Sequence, residues 1–523
     1  MIQQAVAMRP DTHIRRALSP ILCIGGCSGL LYLVVYVMQE AIFRNGLLLS
    51  FAGVTVRGDT ASVPWLLTQY AVYCGATVAL FALYAWLLAL CRRGYFRDRR
   101  VCMLALLFPV LFNFGLLFGR PHFSIDLFDY LSYGYLGSIP GGNPYVQPSF
   151  VMEHFPFGGQ LVAFGWRPIH GLTPYGALWT WCEIAVMRLT EDAGTAVLLL
   201  KGLVIAASLG SAALIWAILG WVRPAHQLLG TLIYLWNPVI IVEFAAEGHN
   251  DALMILCILA ALFLAVRTRP ALALAMLLLG VLTKYVPVIL LPAQMRYLWS
   301  VWRKRPDRAR LIPLLLLGLL VGLALAALLY RPLWVGVATF RGLREESAKV
   351  VNASSTAGAL YAALAHSPLR AMTGVLTAVL LDGAFALYVL LTGWRVRNAR
   401  SLLRTCAAVA VVYVLVASPA YWPWYVALPI ALLALCPDDL FLPITLIVSI
   451  GARLVAPLEV MENRGFITLQ VSHAATAAIG VALPLGACLL LTARKWRQQR
   501  RNIHAPEHTV ASRYAPMVRR QRS

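Results

Sequence analysis

The sequence predicts an all-α fold, a polytopic transmembrane helical bundle of about 12–14 spans with long extracytoplasmic loops that carry interfacial helices. Three observations predict it. Hydrophobic residues make up 60% of the 523-residue chain, and charged residues only 13%. Apolar runs of about 20 residues, long enough to cross a bilayer, recur along the chain. Basic residues fall in short clusters between these runs, as the positive-inside rule requires of cytoplasmic loops.

The predicted spans follow hydropathy, and their orientation follows the basic loops. The spans are 20–38, 64–91, 101–118, 194–222, 228–246, 252–266, the short pair 271–283 and 286–300, 311–330, 371–394, 405–418, 424–436, 440–456 and 473–493. Alternating them places the basic clusters on one side together with both termini. We therefore expect a multi-pass protein of the plasma (inner) membrane with both termini in the cytoplasm.

The net charge of +22 does not indicate a nucleic-acid partner. The basic residues cluster at 92–100, 303–310, 395–404 and 494–501, always beside apolar segments. This distribution is typical of cytoplasmic membrane loops, and such clusters also contact anionic lipid headgroups. We therefore expect the lipid bilayer as a partner, and no nucleic acid.

The string 248–251, Gly-His-Asn-Asp, places three polar side chains directly before an apolar run that starts at Ala252. Polar residues at the mouth of a membrane span are costly unless they bind or react there. Asn250 and Asp251 could cap the following helix, but capping needs only one such residue. A helix N-terminus that faces outward also attracts phosphate. We interpret this string as part of a functional site.

Two carboxylates three residues apart, Asp126 and Asp129, lie in the first long outer segment. If that segment is helical, they can share one face. Near the membrane, a partly desolvated carboxylate can act as a general base on a hydroxyl group. The alternative is that both are solvated loop acids or helix caps.

Lys284 lies inside the longest apolar tract, and Pro287 follows it. Both ends of 271–300 are predicted to be cytoplasmic, yet each half is short for a full crossing. A hairpin or a broken helix that turns near these two residues satisfies the charges, and such a turn must be covered by protein or a wet cavity. Lys284 could simply snorkel to the interface. A cation at such a turn also suits a phosphate ligand.

The segment 419–425 combines two prolines with four aromatic residues at a predicted outer boundary. It fits either an aromatic belt or a groove for a lipid chain or a sugar face. The sequence shows no zinc-type spacing, P-loop or nucleotide fingerprint. If the protein transfers a sugar, the donor is expected to be a polyprenyl-phosphate sugar. No cofactor is expected, although a divalent metal ion is not excluded.

At these residues the chain resembles the integral-membrane glycosyltransferases of the C superfamily, which use polyprenyl-phosphate sugars. The greatest similarity is to the alpha-1,6-mannosyltransferases that build lipid-linked mannans. Their first catalytic outer loop shows an Asp, an aromatic residue, a Tyr and a Gly, followed by Asn/Asp-Pro-Tyr. The matching residues here are Asp126, Phe128, Tyr130, Gly134, Asn143, Pro144 and Tyr145.

Further motifs match in order along the chain. The family's Thr-x-Tyr-Gly-Pro-Leu corresponds to 173–178, its His-Asn-Asp-Ala-Leu-Met string to 249–254, and its late Pro-Trp-Tyr motif to 423–425. The family's lysine-proline segment corresponds to Lys284 and the prolines that follow it. The chain departs from the pattern at Asp129, Ala177 and Glu247, where the family has Ser, Pro and a small residue.

The resemblance implies an inverting transfer of a hexose, mannose in the family that the chain resembles, from polyprenyl phosphate to a hydroxyl group of a glycolipid or polysaccharide, outside the cytoplasm. It implies Asp126 as the general base with Asp129 as the second catalytic candidate, and His249 and Lys284 as ligands of the donor phosphate. The residues that it places around the sugar and the acceptor are Asn250, Asp251, Tyr130, Asn143, Tyr145, Tyr175, Trp424 and Tyr425.

We expect four regions: a cytoplasmic tail with two spans (1–100), a catalytic transmembrane module (101–300) with its outer loop 119–193, a second module (301–493) and a basic tail (494–523). The alternative functions are a membrane transporter or lipid flippase, or a surface-polysaccharide polymerase or ligase. Transporters usually show paired repeats with matching broken helices, whereas this sequence shows one break.

Overall fold

The structure, a computed structural model, describes residues 18–33, 63–121, 123–167, 171–348, 354–365, 367–438, 440–463 and 467–503. The predicted N-terminal tail before residue 18 and the basic tail beyond residue 503 lie outside the described residues. Within the described ranges the structure is helical, and the only β feature is an isolated bridge between Val335 and Val337. The predicted all-α fold is confirmed.

We number the helices in chain order. The first twelve are α1 (Leu18–Leu33), α2 (Val63–Arg92), α3 (Arg99–Leu117), α4 (Asp126–Ser138), α5 (Pro156–Ala163), α6 (Ala177–Leu189), α7 (Ala193–Val222), α8 (Gln227–Leu235), α9 (Pro238–Ala246), α10 (Asp251–Val266), α11 (Pro270–Val281) and α12 (Leu291–Trp302). The others are α13 (Leu311–Tyr330), α14 (Arg341–Ala348), α15 (Thr356–Ala365), α16 (Arg370–Trp394), α17 (Ala399–Ala417), α18 (Pro423–Ala434), α19 (Phe441–Asn463) and α20 (Leu469–Gln498).

Eight of the described helices are long and apolar enough to cross a membrane: α2, α3, α7, α13, α16, α17, α19 and α20. The pair α8 and α9, bent by 51° at Asn237-Pro238, makes a ninth crossing if it is one span. The predicted spans 252–266, 271–283, 286–300 and 424–436 correspond to shorter helices, while residues 34–38 of the predicted span 20–38 lie outside the described residues. Helix α11, for example, has 12 residues. Such a helix is about 18 Å long, whereas the hydrocarbon core is about 30 Å thick, which explains the difference from the 12–14 spans predicted.

Helix α10 is surrounded by other helices, because it contacts α7, α11, α12 and α18. Its sequence is apolar on all sides after Asp251, which is typical of a helix surrounded by other helices. Its N-terminal end, and the polar string before it, are therefore held inside the protein. His249 and Asn250 are completely buried.

The segment 270–302, for which the sequence left a broken helix and a hairpin open, forms a hairpin. A Cβ built on Gly280 lies 3.4 Å from Pro287, and Gln294 Nε2 donates to the carbonyl oxygen of Ala273 at 2.9 Å. The first contact joins α11 to the turn and the second joins α11 to α12, in the order expected of two antiparallel helices. The turn between them carries Lys284.

The outer loop lies directly against this turn. Gly176 N donates to Thr283 O at 3.1 Å, and Leu178 N donates to Leu282 O at 2.8 Å. A Cβ at Gly176 would overlap the Leu282 backbone, so only glycine permits this approach. Helix α6, which begins at the next residue, packs along α4. The loop motif and the lysine turn are thus joined by backbone hydrogen bonds.

Candidate active site

The polar string 248–251 leaves α9 through a wide turn. The last residues of α9 form a π-helical turn, Val242–Ala246, a geometry that recurs at functional sites. Gly248 follows with φ of +79°, and a Cβ there would come within 2.8 Å of Leu127 Cδ1. The positive φ favours glycine at this position. This turn directs His249 toward α4.

His249 contacts the first carboxylate of the outer loop. Its Nδ1 lies 3.7 Å from Asp126 Oδ2, and the same oxygen accepts a 3.5 Å hydrogen bond from the Tyr130 hydroxyl. Asp126 is the first residue of α4 and keeps 16% of its side chain exposed, whereas His249 is fully buried. Asp126 can therefore be reached by a ligand, while His249 is held behind it.

A buried ion-pair chain supports His249 from the other side. Its Nε2 lies 3.2 Å from Glu243 Oε2, and the other oxygen of Glu243 pairs with Arg453. Arg453 also donates to the Tyr73 hydroxyl at 2.9 Å. Glu243 and Arg453 are not among the site residues predicted from the sequence. The available signal was a lone charge inside each of two predicted spans, because intramembrane charges usually pair with one another.

Lys284 is paired with Asp251, the last residue of the polar string. Its Nζ lies 3.1 Å from Asp251 Oδ1 and 3.0 Å from Oδ2, and it also sits 4.8 Å from the centre of the Tyr425 ring. The lysine side chain is 17% exposed. The structure therefore brings Asp126, His249 and Lys284 into one connected group through contacts of the string 248–251.

Aromatic side chains enclose this group. Trp424 stacks on the His249 ring, with centroids 4.1 Å apart and planes 19° apart. Tyr130 meets Tyr175 and Trp179 edge to face, each at 5.2 Å. The predicted aromatic residues of the site thus come from α4, the loop before α6 and the segment that begins α18.

Asn250 does not cap α10, although it precedes the helix. It makes no side-chain capping bond, and neither polar atom of its buried amide has a hydrogen-bond partner among the described residues. A buried amide without a partner is costly, so such groups point to a ligand. This observation favours the functional interpretation of the string over the capping alternative.

Three of the predicted site residues make bonds within the protein scaffold. Asp129 is buried and accepts from Trp166 Nε1 at 2.9 Å, a partner that Asp126 does not share. Asn143 Nδ2 donates to the carbonyl of Leu333 at 2.9 Å. The Tyr145 hydroxyl donates to the carbonyl oxygen of Tyr175 at 3.1 Å and also lies 3.2 Å from Thr180 Oγ1. Asn143 and Tyr145 therefore fix the outer loop to its surroundings.

Burial and neighbouring carboxylates shift the pKa values of His249 and Glu247. Burial alone would lower the pKa of His249, but the carboxylates of Glu243, Asp126 and Asp251 outweigh it and raise the pKa, which favours the imidazolium. Burial, reinforced by Glu243, raises the pKa of Glu247 to about 7. In the described part of the chain, no group of three or more His, Cys, Asp and Glu side chains could hold a metal ion.

Because Glu247 is buried, we expect the free energy of unfolding of the protein to depend on pH. Its buried carboxyl accepts N–H bonds from Phe123 and Ser124, and its folded pKa of about 7 exceeds the value of about 4.3 for an unfolded chain. The folded state therefore holds this proton more tightly. Its contribution to stability is complete below about pH 4.3 and is lost, by about 4 kcal/mol, as the pH rises from there through about 7. We expect Glu247→Gln to flatten the fall of the thermal midpoint between pH 4.5 and 8. The exposed Glu191→Gln is the control, and parallel curves for Glu247→Gln and the unmodified protein would contradict the assignment.

Comparison with known proteins identifies the family. The family model described as alpha-(1->6)-mannopyranosyltransferase, N-terminal domain, matches residues 24–300, which is more than half of the 523-residue chain. None of the curated proteins matches the chain. The matched segment contains α4, the polar string and the lysine turn, so it covers Asp126, His249 and Lys284. The predicted resemblance is confirmed, and the chain belongs to the alpha-(1->6)-mannopyranosyltransferase family.

Proposed function

We propose that this membrane mannosyltransferase takes mannose from a polyprenyl-phosphate donor and transfers it, with inversion, to a hydroxyl group of a glycolipid or polysaccharide on the extracytoplasmic side. One observation carries the proposal. Asp126, His249 and the pair of Asp251 with Lys284 form a single group, with a partly exposed acid at one end and a partly exposed cation at the other. A transfer site needs both a base and a phosphate ligand.

The donor phosphate is assigned to the lysine end. An ammonium group has three donors, and the two oxygens of Asp251 take two of them, which leaves one for a phosphate oxygen. The N-terminus of α10 begins at Asp251 and adds the positive end of the helix dipole. The phosphate leaves with its charge already present, so it needs cations rather than an acid.

Asp126 is assigned as the general base. As the acceptor oxygen forms its bond to C1 of mannose, its proton passes to Asp126, and the C1–O bond breaks with its electron pair going to polyprenyl phosphate. Attack opposite the phosphate inverts C1. His249 is fully buried beneath Trp424 and between two carboxylates, so we assign it to positioning Asp126 rather than to the phosphate.

The sugar is assigned to the space between these ends. Asn250 offers a buried amide with no partner among the described residues, and it lies in the string between His249 and Asp251. We propose that it binds a mannose hydroxyl, with Tyr130 and Tyr425 nearby. The catalytic module 101–300 is then completed by the second module, which supplies Trp424 and Arg453.

The donor assignment is tested with purified protein in lipid nanodiscs. Labelled polyprenyl-phosphate mannose, polyprenyl-phosphate glucose and a nucleotide-linked mannose are offered in parallel with a mannoside acceptor. We expect transfer from polyprenyl-phosphate mannose alone, with a β-linked donor giving an α-linked product. Transfer from the nucleotide-linked sugar without the lipid donor would refute the proposal.

A further inference from the structure

We propose that a cavity beside Trp422, outside the group described above, binds the acceptor saccharide. This inference rests on the proposed function, because it assigns that reaction's second substrate. The cavity has a volume of about 150 Å³. A water molecule needs about 10–15 Å³ of such volume, so the cavity holds about ten waters or one sugar unit. The residues that matter for recognition are Tyr421, Trp422, Trp424, Glu459, Glu462 and His473.

A stack of rings connects the cavity to the catalytic group. Trp424 stacks on His249 at 4.1 Å, and Trp422 stacks on Trp424 at 5.2 Å with planes 8° apart. Trp422 is half-buried, whereas Trp424 is buried. A sugar held at this stack would contact Trp424, the ring that stacks on His249, and His249 in turn contacts Asp126. Flat aromatic side chains with a polar handle are common at ligand pockets.

Polar groups around the same cavity suit sugar hydroxyls. Glu459 and Glu462, near the end of α19, line it, and carboxylates accept hydrogen bonds from hydroxyl groups. Tyr421 also lines it, and its hydroxyl is buried without a hydrogen-bond partner in the part of the chain that the structure describes. Its ring is 1% exposed and is packed against Gly480. A buried hydroxyl without a partner at a cavity is an independent indication of a ligand.

Charge separates this cavity from the donor site. Its described lining includes the carboxylates of Glu243, Glu459 and Glu462, while His473 is the only basic residue there. Because Arg453 pairs with Glu243, the carboxylate of Glu462 is the charge that disfavours a phosphate here, whereas a neutral saccharide is not repelled. The donor phosphate therefore belongs at Lys284, and the acceptor belongs at Trp422.

Steady-state kinetics of Trp422→Ala and Glu462→Gln test the inference. The acceptor is an α-(1→6)-linked mannose trisaccharide with an octyl group, and the donor is polyprenyl-phosphate mannose. We expect Trp422→Ala to raise the acceptor KM by about tenfold or more and Glu462→Gln by about threefold, with the donor KM unchanged. The exposed residues Trp299 and Glu191, changed to Ala and Gln, are matched controls. An unchanged acceptor KM in both cavity variants, or an equal rise in the donor KM, would overturn the inference.

A binding measurement separates this inference from the proposed function. The same trisaccharide is titrated into the unmodified protein and into Trp422→Ala, and tryptophan fluorescence is followed. Saturable quenching that is lost in Trp422→Ala supports the cavity even if no transfer from the lipid donor is seen. If transfer occurs but quenching is absent or identical in the two proteins, the cavity assignment is wrong and the proposed reaction stands.

Discussion

Asp126→Asn is expected to lower kcat for mannose transfer by about 10²–10⁴-fold, because the variant lacks the group that takes the acceptor proton. Asparagine keeps the shape and can still meet the Tyr130 hydroxyl, so folding and donor binding should persist. The donor KM is expected to stay within about twofold, because the substitution removes no interaction that binds the donor equally in the ground state and the transition state. Single-turnover kinetics with purified protein measure the chemical step directly.

The control for this experiment is Asp307→Asn, which removes a surface carboxylate paired with Arg305. It is expected to transfer mannose at the unmodified rate. Full turnover by Asp126→Asn would remove this residue from the mechanism. Equal loss in both variants would show that the assay reports folding rather than catalysis.

Lys284→Ala is expected to lower kcat/KM for the polyprenyl-phosphate donor by about 10²-fold or more while the acceptor KM changes little. The lost cation is the one assigned to the leaving phosphate. The single variant also leaves Asp251, which is only 5% exposed, without its cationic partner. Removing one partner of a buried ion pair lowers the free energy of unfolding by about 3–5 kcal/mol. A double variant, Lys284→Ala with Asp251→Asn, removes both charges and is expected to fold while still failing to use the donor efficiently.

Comparison with Lys304→Ala, which removes a lysine from the exposed loop after α12, controls for a general loss of positive charge. Rates are measured over a range of donor concentrations at saturating acceptor, and then over a range of acceptor concentrations at saturating donor. An unchanged donor dependence in the double variant would mean that Lys284 serves only as the partner of Asp251.

Local patterns in the sequence predicted much of the fold. Apolar runs of helical length predicted α2, α3, α7, α13 and α19 because lipid-facing helices must be apolar along their length. Lys284 and Pro287 predicted the turn between α11 and α12. These are properties of short segments, so they can be read without knowing which helices are neighbours.

The contacts that hold the site residues in place could not be predicted in the same way. Glu243 and Arg453 are 210 residues apart. Each is a lone charge in an apolar segment and so indicates that a partner exists, but neither segment identifies which residue the partner is. The sequence also gave Asp126 and Asp129 similar roles, whereas the structure gives one a contact with His249 and the other a bond to Trp166. The partner of each carboxylate depends on helix packing, which a single sequence does not reveal.

The most direct test of the central claim is a cryo-EM structure of the Asp126→Asn variant with polyprenyl-phosphate mannose bound. The account predicts a phosphate oxygen at about 2.7–2.9 Å from Lys284 Nζ, the distance of a charge-assisted hydrogen bond. It also predicts the mannose ring beside Asn250, with C1 open toward residue 126. A phosphate bound away from Lys284, or a mannose whose C1 is turned away from residue 126, would contradict it.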